Sequence, residues 1–317
     1  MPFFKPGYIE ELQKKVSIKV TQLLDNIAPM GECNLVHQVS QQLPIFTLSE
    51  ILGIPEEDRQ KLVSWMEFLE LAQYFTYEMI KEQNEGKTDS TPDPAMIDMF
   101  NAMVDEMFDY GRFILKSKRQ NPSEDLLSAI ANAKIGDEKL TDEFLDGSWL
   151  LIIFAGNDTT RNTMSGGIKL LHENQSQKDL LMNNLDLLPN FINETVRCVS
   201  PVIHMRRTSL EEAEINGQKI GPYEKISLWY GAANRDPDIF ENPDEFNILR
   251  ENADKHLAFG IGRHTCLGKP VALMQLKEFY SQFLTRFKDF EMNGDWKVAP
   301  NNFVHAIQEM PIKFTPE

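Results

Sequence analysis

The amino-acid sequence predicts a mainly α-helical protein with a small β region. Apolar residues recur at helical spacing through several long segments of the chain. The longest segment begins at Thr141 and continues to about His172, which corresponds to roughly 45 Å of helix at 1.5 Å per residue. Residues 200–255 differ, because β-type pieces such as Lys225–Tyr230 are separated there by Pro and Gly turns. We see no linker that would divide the chain, so residues 1–317 are expected to form a single domain.

The individual helices are placed by their apolar spacing and by their start and stop signals. Residues 8–27 carry apolar side chains at helical intervals, and a second helix near 34–52 stops at Gly53-Ile54-Pro55. Thr141 is expected to cap the long helix, because it precedes two acidic residues of a first turn. The other predicted elements are a third helix at 56–83, a polar loop at 84–94, a fourth helix at 95–118, a short helix after residue 123 and a last helix at 267–289.

Composition narrows the class of protein. With 317 residues, 42% of them hydrophobic, the chain can bury a large core. The net charge of −16 disfavours nucleic acid as a partner. Three widely spaced cysteines, Cys33, Cys198 and Cys266, argue against a disulfide framework and for a reducing compartment. The chain opens without a signal peptide, and its longest apolar stretch, Trp149–Ala155, is too short to cross a bilayer. A soluble, cytoplasmic protein without a membrane anchor is therefore expected.

The segment at residues 259–268, Phe-Gly-Ile-Gly-Arg-His-Thr-Cys-Leu-Gly, is the most informative motif. It places Cys266 in a glycine-loosened loop just before a predicted helix. Glycine lets backbone approach a flat ligand closely, and amides at a helix N-terminus favour a thiolate. A single thiolate without a companion Cys or His at metal-finger spacing suits an axial ligand to haem iron. The alternative interpretation is a buried, inert cysteine after a turn.

The second motif lies in the middle of the long helix. Residues 155–160, Ala-Gly-Asn-Asp-Thr-Thr, place a glycine, an acid and two hydroxyls inside an apolar stretch. Glycine costs a helix about 1 kcal/mol relative to alanine, and a threonine hydroxyl competes for a backbone carbonyl. One interpretation is a locally bent, buried helix. The other is a groove that admits dioxygen, together with a relay that delivers protons to it.

A Glu-x-x-Arg pair, Glu194 and Arg197, is the third motif. Side chains at i and i+3 share one face of a helix and can pair. The simplest interpretation is a surface ion pair that contributes less than about 1 kcal/mol.

Together these motifs resemble those of the cytochrome P450 family. Residues 259–268 match its haem-ligand loop, and residues 155–160 match its oxygen-activating helix. In the family the Glu-x-x-Arg pair is structural and holds the core around the haem. Its usual third member is an Arg in a Pro-x-Arg-Phe string, whereas residues 243–246 of this chain read Pro-Asp-Glu-Phe. The candidates for that third member are Asn234, Arg235 and Arg250.

Longer strings are similar to one branch of the family. Residues 155–162, 200–208 and 229–237 look like soluble bacterial alkane and fatty-acid ω-hydroxylases. They look, less closely, like bacterial enzymes that oxidise the terminal methyl of sterol side chains. Residues 1–10 are similar to the family's segment just after its third helix. The resemblance therefore implies a cytochrome P450 fold with a small β region, shortened at the N-terminus and lacking the usual N-terminal helices and sheet.

The resemblance implies a heme b cofactor whose iron has an axial thiolate, with Cys266 as the metal ligand. The two haem propionates need cationic or donor partners, and a guanidinium can bind a carboxylate in bidentate fashion. The residues implied for the propionates are Arg207, His256 and His264. The other residues implied to bind the cofactor are Phe259, Gly260, Gly268 and Ala155.

The resemblance also implies a monooxygenase. One atom of O2 would enter a C–H bond of an apolar substrate (an alkane, a fatty acid, or a sterol- or terpenoid-like chain), with two electrons from ferredoxin and ferredoxin reductase. Asp158 would relay protons, and Thr159 would hold the hydrogen bonds on the oxygen side. The implied substrate contacts are Leu151, Phe154, Ala155, Val202, Ile203, Phe303 and Val304. Two alternatives stay open: a haem-binding fragment or pseudo-enzyme without turnover, and a peroxygenase.

Overall fold

The computed structural model describes residues 2–85, 93–301 and 303–316, and it shows a helical protein with short paired strands. The helices are α1 (Pro6–Ile27), α2 (Gln42–Leu52), α3 (Arg59–Asn84), α4 (Pro94–Gln120), α5 (Leu126–Ala131), α6 (Asp142–Glu173), α7 (Gln175–Asn183), α8 (Leu188–Val199), α9 (Tyr230–Ala233) and α10 (Lys269–Arg286). Across these described ranges, no helix combines the length and the apolar character needed to span a bilayer. The predicted mainly helical class is confirmed.

The strands pair in small antiparallel groups. The longest ladder joins β4 to β7, and a three-stranded sheet has the order β1, β11, β8. The strands are β1 (Glu32–Asn34), β2 (Lys134–Ile135), β3 (Glu138–Lys139), β4 (His204–Thr208), β5 (Ala213–Ile215), β6 (Gln218–Ile220), β7 (Lys225–Trp229), β8 (Glu291–Met292), β9 (Lys297–Val298), β10 (Ile307–Glu309) and β11 (Pro311–Lys313). Strands β4 to β7 confirm the predicted β character of residues 200–255.

The segment at 34–52 departs from the single predicted helix. Its start belongs to β1, which pairs with β11 at the other end of the chain. The Asn34 side-chain oxygen accepts hydrogen bonds from the backbone amides of Val36 and Met310, both at 3.2 Å. A π-helical turn at Val36–Ser40 then leads into α2. A pairing between residues far apart in sequence thus overrides the local helical pattern, which carries no information about β11.

Several short elements escape sequence prediction, among them the hairpin of β2 and β3 and helix α7. The hairpin of β2 and β3 has strands of two residues, too short to show an alternating pattern. Helix α7 begins directly after α6 ends, so the helical spacing hardly changes between them. The predicted polar loop at 84–94 lies largely outside the described residues.

Helix α6 is central to the fold and lies against α2, α4, α8 and α10. Thr141 caps it as predicted, because the hydroxyl accepts a hydrogen bond from the Phe144 amide at 3.3 Å. Two glycines let other elements approach its C-terminal half. A Cβ on Gly166 would lie 2.6 Å from Val199 of α8, and one on Gly167 would collide with the Tyr280 hydroxyl of α10. This close packing positions α8, which carries the Glu194–Arg197 motif, and α10, which directly follows the Cys266 loop.

Candidate active site

The loop around Cys266 is closed on itself by backbone hydrogen bonds. The Cys266 amide donates to the Phe259 carbonyl at 2.7 Å, and the Thr265 amide donates to the Gly262 carbonyl at 3.2 Å. Gly260 and Gly262 have φ of 68° and 69°, in the left-handed region that favours glycine. A Cβ on Gly260 would also lie 3.1 Å from the His264 carbonyl. The glycines therefore make the tight turn that presents the cysteine.

The Cys266 side chain stands at the N-terminus of α10. The residue is exposed, yet enough protein surrounds the sulfur that desolvation raises the pKa of the Cys266 thiol. The amides of Gly268 and Lys269 and the Lys269 ammonium lower the pKa of the same thiol. These three groups favour a thiolate, as expected for a cysteine that binds a cation at a helix start.

His256, ten residues before Cys266, has an unmatched buried donor. Its Nδ1 accepts a hydrogen bond from the Ala258 amide at 3.3 Å, whereas its Nε2 is buried without a hydrogen-bond partner among the described residues. Burial, followed by the nearby Lys269 charge, lowers the pKa of His256 to about 4. The ring is therefore neutral at pH 7 and carries its proton on Nε2.

The other two residues implied for the propionates lie in different surroundings. Arg207 is half-buried in β4, where its Nη1 donates to the carbonyl of Arg206 at 2.9 Å. His264 is exposed in the 3₁₀ turn before Cys266. Of the three, His256 has the environment that most needs an external acceptor, and a haem propionate is a suitable one.

The Glu194–Arg197 pair is fully buried, so the surface interpretation is wrong. The Arg197 guanidinium donates to both Glu194 carboxylate oxygens, at 2.7 and 2.8 Å. It also donates to the backbone carbonyls of Asn234 and Pro243, at 2.8 and 2.7 Å. The Asn234 side chain in turn accepts from the Leu257 amide at 2.6 Å. The network thus holds the chain that leads into the Cys266 loop.

The structure identifies the third charged member of this network. Arg250 is buried, and its Nε lies 3.1 Å from a Glu194 carboxylate oxygen. It also donates to three backbone carbonyls of residues 241–245. Arg235 lies outside, with its side chain 40% exposed and paired with Asp244 at 3.4 Å. Arg250 is therefore the second guanidinium on Glu194, and Asn234 contributes its backbone carbonyl and its side-chain amide.

The second motif lies on α6 as predicted. Asp158 accepts a hydrogen bond from Asn157 Nδ2 at 3.1 Å and lies 3.7 Å from the Arg161 guanidinium. Burial raises the pKa of Asp158, and Arg161 lowers it. The Thr159 hydroxyl donates to the Ala155 carbonyl at 3.1 Å, the competition with backbone expected for a threonine in a helix. The sequence analysis did not single out Arg161. Its signal is a basic residue about one helical turn after an acid in an apolar stretch, a spacing that allows an ion pair.

The residues implied for the substrate form two groups. On α6, Leu151 and Ala155 are exposed, Phe154 is half-buried, and the spacing of Leu151, Ala155 and Thr159 puts them on one face. In the second group, Val202 forms a β-bridge with Val304, and the Ile203 amide donates to the Phe303 carbonyl at 2.8 Å. Leu151 is 67% exposed and Phe303 46%. Both side chains offer apolar surface that a hydrocarbon could cover.

A comparison with known protein families identifies the family of this chain. The family described as Cytochrome P450 matches residues 92–315. The chain belongs to the cytochrome P450 family. The family, the fold and the heme b cofactor with its cysteine thiolate are thereby confirmed. This P450 is an oxidoreductase of the monooxygenase kind.

Individual relatives and solved structures give the same family. Linalool 8-monooxygenase from Pseudomonas putida is 31% identical over the whole of this chain and 74% of its own length. Steroid C26-monooxygenase from Mycobacterium tuberculosis is 30% identical over 97% of this chain and 79% of its own. Among solved structures, CYP109E1 from Bacillus megaterium in complex with testosterone has a TM-score of 0.83 and 28% identity, covering 98% of this chain and 81% of its own.

The residues of this P450 fit a haem. A thiol at a helix start can supply the axial thiolate, left-handed glycines leave room for a flat ring, and His256 has a buried donor for a propionate. Ile261 and Leu267, which lie before and after Cys266 in the sequence, have exposed apolar side chains.

Proposed function

We propose that this P450 hydroxylates an apolar chain or ring at an unactivated C–H bond, using electrons from a ferredoxin and its reductase. The observation that carries the proposal is the juxtaposition on α6 of an exposed apolar face, at Leu151 and Ala155, with the acid and alcohol of Asp158 and Thr159. The relatives act by name on linalool and on steroids, which are apolar molecules. An alkane, a fatty acid and a terpenoid or sterol chain all suit such a face.

In this proposal Cys266 Sγ binds the iron, and His256 Nε2 and the Arg207 guanidinium bind the propionates. Haem supplies the binding and activation of dioxygen, chemistry that no side chain offers. The left-handed turns at Gly260 and Gly262 would let the loop backbone approach the ring. Lys269 lies over the Phe259 ring, 5.4 Å from its centroid, and adds positive charge beside the thiolate.

The protein's own residues manage substrate and protons. The apolar face of α6 binds the hydrocarbon and excludes water. The Thr159 hydroxyl donates to a helix carbonyl, which leaves its lone pairs free to accept another hydrogen bond. Asp158 holds a proton at its carboxyl and passes it towards this hydroxyl.

Substitutions of the acid and the alcohol should have different signatures. We expect Thr159→Ala to uncouple the enzyme, so that NADH is consumed while hydrogen peroxide replaces product. Asp158→Asn should lower turnover by about 100-fold or more, because general acid catalysis contributes on that scale. Coupling is measured as product formed per NADH consumed, and turnover as product formed per minute. Wild-type coupling and rate in both variants would contradict the relay.

The decisive experiment for the function supplies electrons in two ways. The holoenzyme is given ferredoxin, ferredoxin reductase and NADH with a panel of linear alkanes, fatty acids, terpene alcohols and steroids, and products are identified by mass spectrometry. Hydroxylated product that requires the electron donors supports the proposal. Product from hydrogen peroxide alone identifies a peroxygenase. Haem binding with neither identifies a protein without turnover.

The ferredoxin is expected to contact the surface near Cys266. Arg263 is exposed in the loop, and Lys255 and Lys277 are exposed on the adjoining segments. Local charge outweighs the net charge of −16 at physiological salt, where screening acts over about 8 Å. We expect Arg263→Glu with Lys255→Glu to slow reduction by an acidic ferredoxin and to flatten its dependence on salt, with substrate affinity unchanged. Stopped-flow measurement of the reduction rate across a salt series tests this. Equal rates for the wild type and the double variant would exclude this surface as the ferredoxin contact.

A further inference from the structure

Tyr280 is a fully buried polar side chain on α10 that the proposed function does not use. Its hydroxyl donates to two backbone carbonyls of α6, that of Thr163 at 2.8 Å and that of Met164 at 3.0 Å. Burial raises the pKa of Tyr280, and a hydrogen bond from the Gly167 amide acts in the opposite direction. In an α-helix the Thr163 carbonyl and the Gly167 amide are partners of each other. The Tyr280 hydroxyl therefore contacts both members of one hydrogen bond of the α6 ladder.

The position of this hydroxyl is fixed by the packing of three helices. The Phe191 ring of α8 meets the Tyr280 ring edge-on, with 4.8 Å between the centroids and 79° between the planes. A Cβ on Gly167 would lie 2.1 Å from the Tyr280 hydroxyl oxygen and 3.0 Å from Thr195 Cγ2 of α8. Gly167 is thus the point where α6, α8 and α10 meet. These three helices carry, or directly follow, the three motifs of the candidate site.

A row of hydrogen bonds from hydroxyls to carbonyls continues from this point along α6. The carbonyls of Ala155, Thr159 and Thr163 are spaced four residues apart on one face of the helix. They accept from the hydroxyls of Thr159 at 3.1 Å, Thr163 at 2.7 Å and Tyr280 at 2.8 Å, respectively. A hydroxyl that bonds to a ladder carbonyl bends a helix, and a side chain inserted into the ladder kinks it. Because all three hydroxyls act on the same face, their effects on the curvature of α6 have the same direction.

We propose that Tyr280 is a positioning residue for Thr159, and that its hydroxyl maintains the curvature of α6 that places the Thr159 side chain on the oxygen side of the haem. The proposal rests on the function proposed above, which uses Thr159 there. Tyr280 lies eleven residues after the start of α10 at Lys269, about 17 Å along the helix, and α10 directly follows the Cys266 loop. One helix thus connects the thiolate loop with the alcohol on α6.

The variant Tyr280→Phe removes the hydroxyl and keeps the buried ring. In the holoenzyme we expect less product per NADH and a kcat lower by about tenfold with KM nearly unchanged. This loss is smaller than the roughly 100-fold that a displacement of about 1 Å can cost. A second readout needs no turnover: the infrared stretching frequency of carbon monoxide bound to the reduced haem should shift, because it responds to the polar groups beside the bound gas.

Tyr110→Phe is the matched control. It also removes a hydrogen-bonded tyrosine hydroxyl, which donates to Asp58 at 2.9 Å, and its ring packs against Trp149 of α6. Both variants are expected to unfold at lower urea concentration than the wild type. Tyr110→Phe should nevertheless keep the wild-type coupling and the wild-type carbon monoxide frequency, because its hydroxyl does not bond to α6.

A third variant tests the path between Tyr280 and Thr159. Thr163→Val removes the middle hydroxyl of the row and keeps the shape of the side chain. It should shift the carbon monoxide frequency in the same direction as Tyr280→Phe. The double variant should shift it by less than the sum of the two single shifts, as expected for residues that act through one another.

The outcomes separate this proposal from the proposed function. If Tyr280→Phe loses stability but keeps the wild-type coupling, kcat and carbon monoxide frequency while Thr159→Ala changes them, Tyr280 is structural only and the function stands. Additive shifts in the double variant would also overturn the proposal, since Tyr280 would then not act through Thr163. If Tyr280→Phe does not fold, Thr163→Val decides, and wild-type behaviour of that variant overturns the proposal. If Thr159→Ala itself changes nothing, the role of Thr159 in the proposed function is wrong and this proposal falls with it.

Discussion

Replacing Cys266 by serine is expected to abolish the reduced-CO absorption band that identifies a thiolate-bound haem. A serine hydroxyl does not ionise near neutral pH and cannot replace the soft sulfur ligand. The loop should survive the change, because its backbone hydrogen bonds and left-handed glycines do not involve the sulfur. The measurement is the reduced-CO difference spectrum, with haem content determined in parallel.

The two other cysteines are the controls. Burial raises the pKa of Cys33 to about 12 and the pKa of Cys198 to about 11, so both are neutral thiols at pH 7. Cys33→Ser and Cys198→Ser should therefore keep the band, whatever they do to stability. A Cys266→Ser protein that retains the band would contradict the assignment of the ligand.

Replacing Glu194 by glutamine is expected to have the second large effect, a loss of about 3–5 kcal/mol in the free energy of unfolding. The change leaves the guanidiniums of Arg197 and Arg250 buried without their shared carboxylate. A loss of this size is a large part of the roughly 5–15 kcal/mol by which a protein is normally stable. Urea unfolding followed by circular dichroism measures it, and haem retention should fall together with stability.

The Lys169–Glu173 pair provides the matched comparison. It is also a helical acid–base pair, with N and O 2.8 Å apart, but it lies near the surface. Glu173→Gln should change the free energy of unfolding by only about 0.3–0.5 kcal/mol. Equal losses of unfolding free energy in Glu194→Gln and Glu173→Gln would show that burial does not increase the contribution of the Glu194 network to stability.

The positions of most helices were predictable because their signals are local. Thr141 and the acids after it define the start of α6, and Gly53 ends α2 with φ of 67°. The start of α2 was not predictable, since Asn34 lies in a strand whose partner is nearly three hundred residues away in sequence. Periodicity reports on neighbours three and four residues apart and on nothing more distant.

The candidate site also has features that the sequence predicts and features that it does not. The motif at 259–268 and the acid and alcohol of α6 could be found in the sequence, because tight turns and helix breaks demand particular residue types at fixed spacing. The burial of Glu194 and Arg197 could not be found, since an i, i+3 pair has the same pattern on a surface and in a core.

By itself, then, the sequence determined the family, the haem-binding cysteine motif and the helix that carries Asp158 and Thr159. The tertiary structure decided that Arg250, and not Arg235, joins Glu194, that His256 has a buried donor to offer, and that Arg161 is buried beside Asp158. The physical reason is that burial and charge pairing depend on which distant segments meet. A pattern of residue types along the chain does not contain that information.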